Sequence, residues 1–228
     1  MQTTFTDLKD KSIGEVVTNH PELVKVFIDY GVDFCCGGDR LVMEAVERDT
    51  DDIDGLMVDA DKAIEAAKAF AIEGSRKTLA EFTTEQLIDL ILQKHHKYLR
   101  ETLPKLSELL FKLLEVHGDN HPELFEIHKV FGGLKIELES HLVKEEKQLF
   151  PELIKGGANC KVLIETLEAE HDVAGDALHT LTDLTGHFSL PSDACTTYGV
   201  TYRMLKELVS DMYMHVHTEN NVLFKRFN

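Results

Sequence analysis

Cations are scarce in this chain. Its 228 residues carry 24 Lys and Arg against 41 Asp and Glu, a formal net charge of −17 at pH 7. A surface so negative repels phosphate backbones, so no nucleic acid is expected as a partner. Long apolar runs are missing as well. No stretch approaches the roughly 18 residues a membrane span needs, so no membrane partner is expected. The first residues, MQTTFTDLKDKSIGEVV, lack a basic head followed by an apolar stretch and do not read as a secretory signal. Cysteine occupies only four positions, too few for a disulfide framework at this length, which points to a reducing cytoplasm. Alternation with period two is absent over any useful length, which leaves strands out. What remains is 43% hydrophobic residues, ample for a globular core.

Histidine supplies the first positive signal. Of the 12 His, 11 lie at or beyond residue 95, and only His20 falls in the first 90 residues, where Cys35 and Cys36 sit side by side. The two parts carry different chemistry, so the chain divides into a small N-terminal helical domain with its linker, 1–75, and a second domain, 76–228. The Ala- and acid-rich stretch that ends at Gly74-Ser75 is the expected break.

The second domain reads as four long helices, an all-α antiparallel bundle. Thr83-Thr84-Glu85 resembles an N-cap region, and the Leu/Ile pattern after it runs to about Glu115. HGDNHP breaks that helix, and Pro122 suits the start of the next, which stops at Gly156-Gly157. A third runs from about Lys161 to Leu184, and SLPSDA opens a fourth that reaches about Phe227. At 3/4 spacing the apolar stripes are Leu92, His96, Leu99, Leu103, Leu106, Leu110 and Leu113, then Ile127, Phe131, Leu134, Leu138, His141, Glu145 and Leu149. The third is Ile164, Leu167, His171, Ala174, Leu178 and Leu181, and the fourth is Leu205, Leu208, Met212, His215, Glu219 and Val222. Each helix thus aims a His into the core, and two of them add a Glu one turn later.

Residues i and i+4 lie about 40° apart on a helix, so each His/Glu pair points one way. The pairs sit in a repeat: His141-x3-Glu145-x3-Leu149-Phe150 returns as His215-x3-Glu219-x3-Leu223-Phe224. Burying such groups without partners costs roughly 1–3 kcal/mol each, and more for an ionised carboxylate. All together would rival the roughly 5–15 kcal/mol net stability of a domain. Metal coordination satisfies every one of them. No Cys shares their level, which excludes a structural zinc site of the Cys/His type. Four imidazoles and two carboxylates exceed the needs of one tetrahedral ion, but two carboxylates can bridge two ions with two His for each. Bundle-core sites of this kind hold di-iron or di-manganese, and the nitrogen-rich shell favours iron. Each metal keeps room for an oxo or hydroxo bridge and for a small ligand such as O₂ or NO.

At this point the chain resembles a known family. The bundle with His96, His141, Glu145, His171, His215 and Glu219 is similar to the hemerythrin-like domain, and DFCCGG (Asp33–Gly38) to the short helical domain that precedes it in the repair-of-iron-centres family, the ScdA/YtfE type. GEVV, the Leu103-Pro104 pair, HLVKEEKQLFP, EAEHDVAG, ACTTY and HTENNVLF extend the likeness over essentially the whole chain. One departure from the oxygen-carrying hemerythrins is Gly175, where a second His would follow His171, and it argues against plain O₂ carriage. The resemblance implies a cytoplasmic protein of the oxidative and nitrosative stress response. Its members restore damaged iron-sulfur clusters, releasing iron from a di-iron site, and react with NO. It also implies that His96 and His215 serve one iron, His141 and His171 the other, and that Glu145 and Glu219 bridge the two ions. Partners are then iron-sulfur proteins with damaged clusters and the small ligands NO or O₂, and a homodimer is left open. Whether the chain donates iron, reduces NO or peroxide as an enzyme, or only senses NO or O₂ also stays open, because one ligand set serves all three.

Other residues carry plainer expectations. His95 falls on a weaker stripe and is placed at the surface or behind the ligands. His217 lies about 200° around the helix from His215 and is expected in solvent. His117 reads as a turn or cap residue, and Cys160 and Cys195 as buried small apolar residues. Cys35 and Cys36, followed by two glycines that allow a tight turn, are expected to be approachable and to act as a redox or iron-handling relay. Asp33 beside them should raise the thiol pKa.

Overall fold

The computed structural model describes residues 4–70 and 78–227, so the expected break at Gly74-Ser75 lies outside the described residues. Among the described residues the chain is helical, apart from an isolated bridge between Ser12 and Leu41. No helix among them is long and apolar enough to cross a membrane. The residues group into two compact units, one formed by Met1–Leu87 with Tyr213–Asn228, the other by Ile88–Met212.

The first unit is built from short helices. These are α1 (Ile13–Asn19), α2 (Val24–Asp29), α3 (Val42–Asp49) and α4 (Ile53–Phe70), after a 3-10 turn at Phe5–Leu8. Ser12 caps α1 by accepting the Glu15 N–H at 3.2 Å, supplying an acceptor the first helical turn lacks. Phe5, Ile13, Leu23, Phe27, Phe34, Val42 and Leu56 are fully buried. Burial of each side chain of this size is worth about 1.5–3 kcal/mol, which helices this short need. An aromatic series runs through the unit, with ring centroids 6.1 Å apart for Phe5 and Phe27, 6.2 Å for Phe27 and Phe34, and 5.7 Å for Phe34 and Tyr213. The last of these joins the C-terminal stretch to the N-terminal helices. Asn221 adds to the join, its side-chain amide donating to the carbonyls of Phe34 at 3.2 Å and Cys35 at 3.0 Å. A Cβ on Gly38 would fall 1.8 Å from Asn221 Oδ1, so glycine there is a requirement of close approach.

The bundle helices make up the second unit, except that the first of them starts and the last of them ends within the residues of the first. Thr83 and Gln86 form a reciprocal capping box, at 3.0 and 3.2 Å, before α5 (Thr84–Leu90). A π turn at Ile91–His96 then leads into α6 (Lys97–His117). Helix α7 (Glu123–Lys144) follows Pro122 and passes through a second π turn, Glu145–Leu149, into α8 (Phe150–Ile154). Gly156 and Gly157 end it with φ of 106° and 67°, the left-handed region that favours glycine. α9 (Lys161–Leu184) has the bounds expected from its periodicity. An irregular stretch with positive φ at Gly186, His187 and Phe188 separates it from α10 (Thr196–His217), which a third π turn, Thr218–Leu223, extends. α7 packs against both α6 and α9. The expected stripes are buried from Leu99 to Leu113, Ile127 to Leu138 and Ile164 to Leu181. Leu92 is half-buried, and Ile91 takes its place in the core.

Candidate metal centre

Candidate ligands sit where the helices leave α geometry. His96 closes the first π turn, Glu145 opens the second, and Glu219 is the second residue of the third. A π turn inserts one extra residue, so neighbours that an α-helix would splay apart can face the core together. That is why both His95 and His96 are buried.

Glu145 is the hub of the second unit. It is 0% exposed, and its two oxygens face different imidazoles, with Oε2 3.2 Å from His96 Nε2 and Oε1 3.4 Å from His141 Nε2. His171 completes the group, its Nε2 2.9 Å from that of His141. Two of the rings are oriented from behind. His96 Nδ1 lies 2.8 Å from Glu146 Oε1, and His141 Nδ1 lies 2.9 Å from Glu170 Oε2. Burial pushes both of these carboxyls up. Hydrogen bonds from His96 and Arg100 on Glu146, and from Lys144 and His141 on Glu170, outweigh it and leave both below the ordinary Glu value. Ionised carboxylates so placed accept a hydrogen bond from Nδ1–H and so favour the tautomer whose Nε2 lone pair faces Glu145.

His215 and Glu219 belong to the first unit and lie one turn apart, with Nε2 3.0 Å from Oε1 and both side chains buried. The donor chemistry fits iron: imidazole nitrogens with buried carboxylates, and no thiol. The spacing fits too, since two ligands at right angles on a metal about 2.1 Å away are roughly 3 Å apart.

Of the two placements expected for His95, the structure excludes the surface: the π turn brings it inward, and its Nδ1 lies 2.9 Å from Asp211 Oδ1. His217 departs from expectation: it is buried, not solvated. Its ring meets Phe34 edge-on at 5.8 Å, and its Nε2 lies 3.3 Å from Thr18 Oγ1. Burial draws its pKa down to about 4, so it is neutral at physiological pH. Helical periodicity assumes one buried face, whereas this stretch is enclosed by the N-terminal helices of its own unit.

The thiol pair has a different setting. Asp33 Oδ1 accepts from the Cys35 and Cys36 N–H groups at 2.9 and 3.1 Å and from the Cys35 thiol at 3.1 Å. Arg40 Nη2 in turn donates to the Asp33 carbonyl at 2.9 Å. The sulfurs stand 3.7 Å apart as free thiols. Cys35 is 3% exposed, so only Cys36 is approachable, and Gly38 serves Asn221 instead of opening the turn. The hydrogen bond between Cys35 and Cys36, then burial and Asp33, push the Cys35 thiol well above its ordinary range. A second departure is Cys195, which is exposed, not buried. Its thiol is lowered to about 7 by the Tyr198 N–H at the start of α10 and by His117.

The chain is similar to known proteins over most of its length. Residues 87–227 match the hemerythrin HHE cation binding domain, and residues 9–60 match ScdA_N, described as a domain of unknown function (DUF542). The iron-sulfur cluster repair protein ScdA of Staphylococcus epidermidis (strain RP62A) is 30% identical over 225 residues, covering 96% of this chain and 98% of that protein. The iron-sulfur cluster repair proteins YtfE of Enterobacter sp. (strain 638) and of Escherichia coli O1:K1 are each 34% identical over 220 residues, 96% of both chains.

Proposed function

The chain belongs to the hemerythrin HHE cation-binding family, in the branch with an N-terminal ScdA domain, and from that premise we propose that it repairs iron-sulfur clusters damaged by oxidative or nitrosative stress by donating iron. His96, His141, Glu145, His171, His215 and Glu219 would hold two iron ions. His96 and His215 would serve one and His141 and His171 the other, with Glu145 and Glu219 as the carboxylates shared by both. Iron is the cargo of the reaction, and the iron-sulfur protein that receives it is the partner. The observation that carries this reading is Glu145, a fully buried carboxylate that turns one oxygen to each of two imidazoles. The identical His-x3-Glu spacing at His215 and Glu219 supports a second bridge.

This chain's own residues hold the cargo and let it go. Glu146 and Glu170 keep the imidazoles turned inward, and each is paired outward, with Arg100 at 2.8 Å and with Lys144. From the buried ring to a solvent-reaching cation is therefore two residues on either side, which suits a site that must release its metal without unfolding. Residues 1–75 contribute the Cys35-Cys36 pair as a thiol relay in a reducing cytoplasm, where thiols persist. The small molecules that reach such a centre are NO and O₂.

The test mixes the iron-loaded protein with an apo-ferredoxin, sulfide and a reductant, following cluster absorbance, NO consumption and circular dichroism together. Cluster should form at a rate set by this protein, with helix content unchanged as iron leaves. NO consumption without cluster formation, or helix loss in step with iron, overturns the donor reading.

A further inference from the structure

A second constellation of metal-competent side chains lies at the far end of α6. His117 is the last residue of that helix, and the chain turns through Gly118–Asn120 so that the His121 N–H donates to the His117 carbonyl at 2.9 Å. Asp193 reaches back from the segment before α10, its two oxygens 3.0 and 3.2 Å from His121 Nε2. Ligand atoms of His117, His121 and Asp193 all lie within 4.8 Å of one another. Cys195 stands beside them, with Sγ 3.3 Å from His117 Nε2. Tyr198 packs edge-on against both rings, at 5.4 Å from His117 and 5.7 Å from His121.

The construction repeats that of the buried cluster. His121 Nδ1 is held 3.1 Å from Glu123 Oε1, as His96 is held by Glu146 and His141 by Glu170, and its Nε2 faces the group. An ion pair between His121 and Asp193 needs neither this second carboxylate nor a thiol and a second imidazole at the same place. We infer that His117, His121, Asp193 and Cys195 form a second site, for one divalent transition-metal cation. Two nitrogens, a carboxylate and a thiolate make a borderline donor set that suits zinc or ferrous iron and not magnesium or calcium. The site is distinct from the buried cluster, because His96 and His117 are separated by 21 residues of helix, about 31 Å. His117 and His121 are part-exposed and Asp193 and Cys195 exposed, so the cation exchanges with solution. On binding, the imidazole nitrogens ligate through their lone pairs and the Cys195 thiol releases its proton to solvent.

Titration of the iron-loaded full chain with Co²⁺ tests this. One further equivalent should bind, with sulfur-to-cobalt charge-transfer absorbance that Cys195→Ser abolishes. His121→Gln should weaken binding at least about tenfold, since even groups behind metal ligands are worth 10–100-fold. Iron content and circular dichroism should not change in either variant. In the unaltered chain Zn²⁺ should also protect Cys195 from alkylation, read by peptide mass. Absorbance that persists in Cys195→Ser would put cobalt on Cys35 and Cys36 and overturn the proposal. So would cobalt binding indifferent to His121→Gln, or alkylation of Cys195 untouched by zinc.

Discussion

The Glu145 cluster and the Cys35-Cys36 pair are both built around a carboxylate, and the carboxylates do opposite things. Around Glu145 the outer carboxylates of Glu146 and Glu170 stay ionised and face the Nδ1 atoms as acceptors, which favours the tautomer whose Nε2 lone pair points inward. At the thiol pair the single carboxylate, Asp33, is the acceptor at the centre of the group, and its neighbours keep their protons on it. One cluster is prepared for a cation in its resting protonation state. The other must lose a thiol proton or meet an oxidant before it does chemistry.

Removing the hub should have the largest effect. Glu145→Ala should lower iron from about two per chain to one or none, as expected when a bridging bundle carboxylate is lost, with little change in helix content. Metal analysis beside circular dichroism checks it, and a full iron complement in the variant breaks the comparison. Glu170→Ala should leave the ligands in place but weaken iron binding by about 10–100-fold, because His141 loses the group that orients it. Chelator competition reads that change, and unaltered affinity would mean the outer carboxylates do not prepare the site.

Asp33→Ala acts on stability. It strands two backbone N–H groups and should cost about 1–3 kcal/mol, read from urea midpoints. Burial raises the Asp33 carboxyl, and the Cys35 and Cys36 hydrogen bonds with the Arg40 charge lower it further, to a net value below the ordinary Asp range. A carboxyl lowered by folding stabilises above its unfolded pKa, and that stability is lost as pH falls through the folded value. The unaltered protein should therefore lose more stability in acid than Asp33→Ala does, and parallel acid profiles would contradict this. Least affected should be the iron content of Cys35→Ala/Cys36→Ala, which keeps its metal and fold while cluster repair falls. Normal repair by that double variant would remove the relay and leave the pair as packing.

Much of the bundle was legible because burial repeats at the helical period. The bounds of α9, the turn after His117, the stop at Gly156-Gly157 and the leucine stripes all follow from composition and spacing. The His-x3-Glu repeat marked Glu145 and Glu219 because charged residues on an apolar stripe demand partners. Leu92 escaped this reading because it lies in a π turn, whose extra residue shifts the buried face with no compositional mark, and His217 because the N-terminal helices of its own unit cover a second face of that stretch. Cys195 escaped because its exposure depends on where the segment after α9 runs.

Sequence alone determined the helical class, the bundle stripes and the identity of the candidate donors, since these depend on residue type and local period. Only the tertiary structure decided which imidazole nitrogen faces inward, which oxygen of Glu145 meets which ring, and that the C-terminal stretch packs with the cysteine-bearing helices through Asn221 and Tyr213. Those outcomes rest on hydrogen bonds between residues 29 to 187 positions apart. No local pattern encodes contacts that only the closed fold creates.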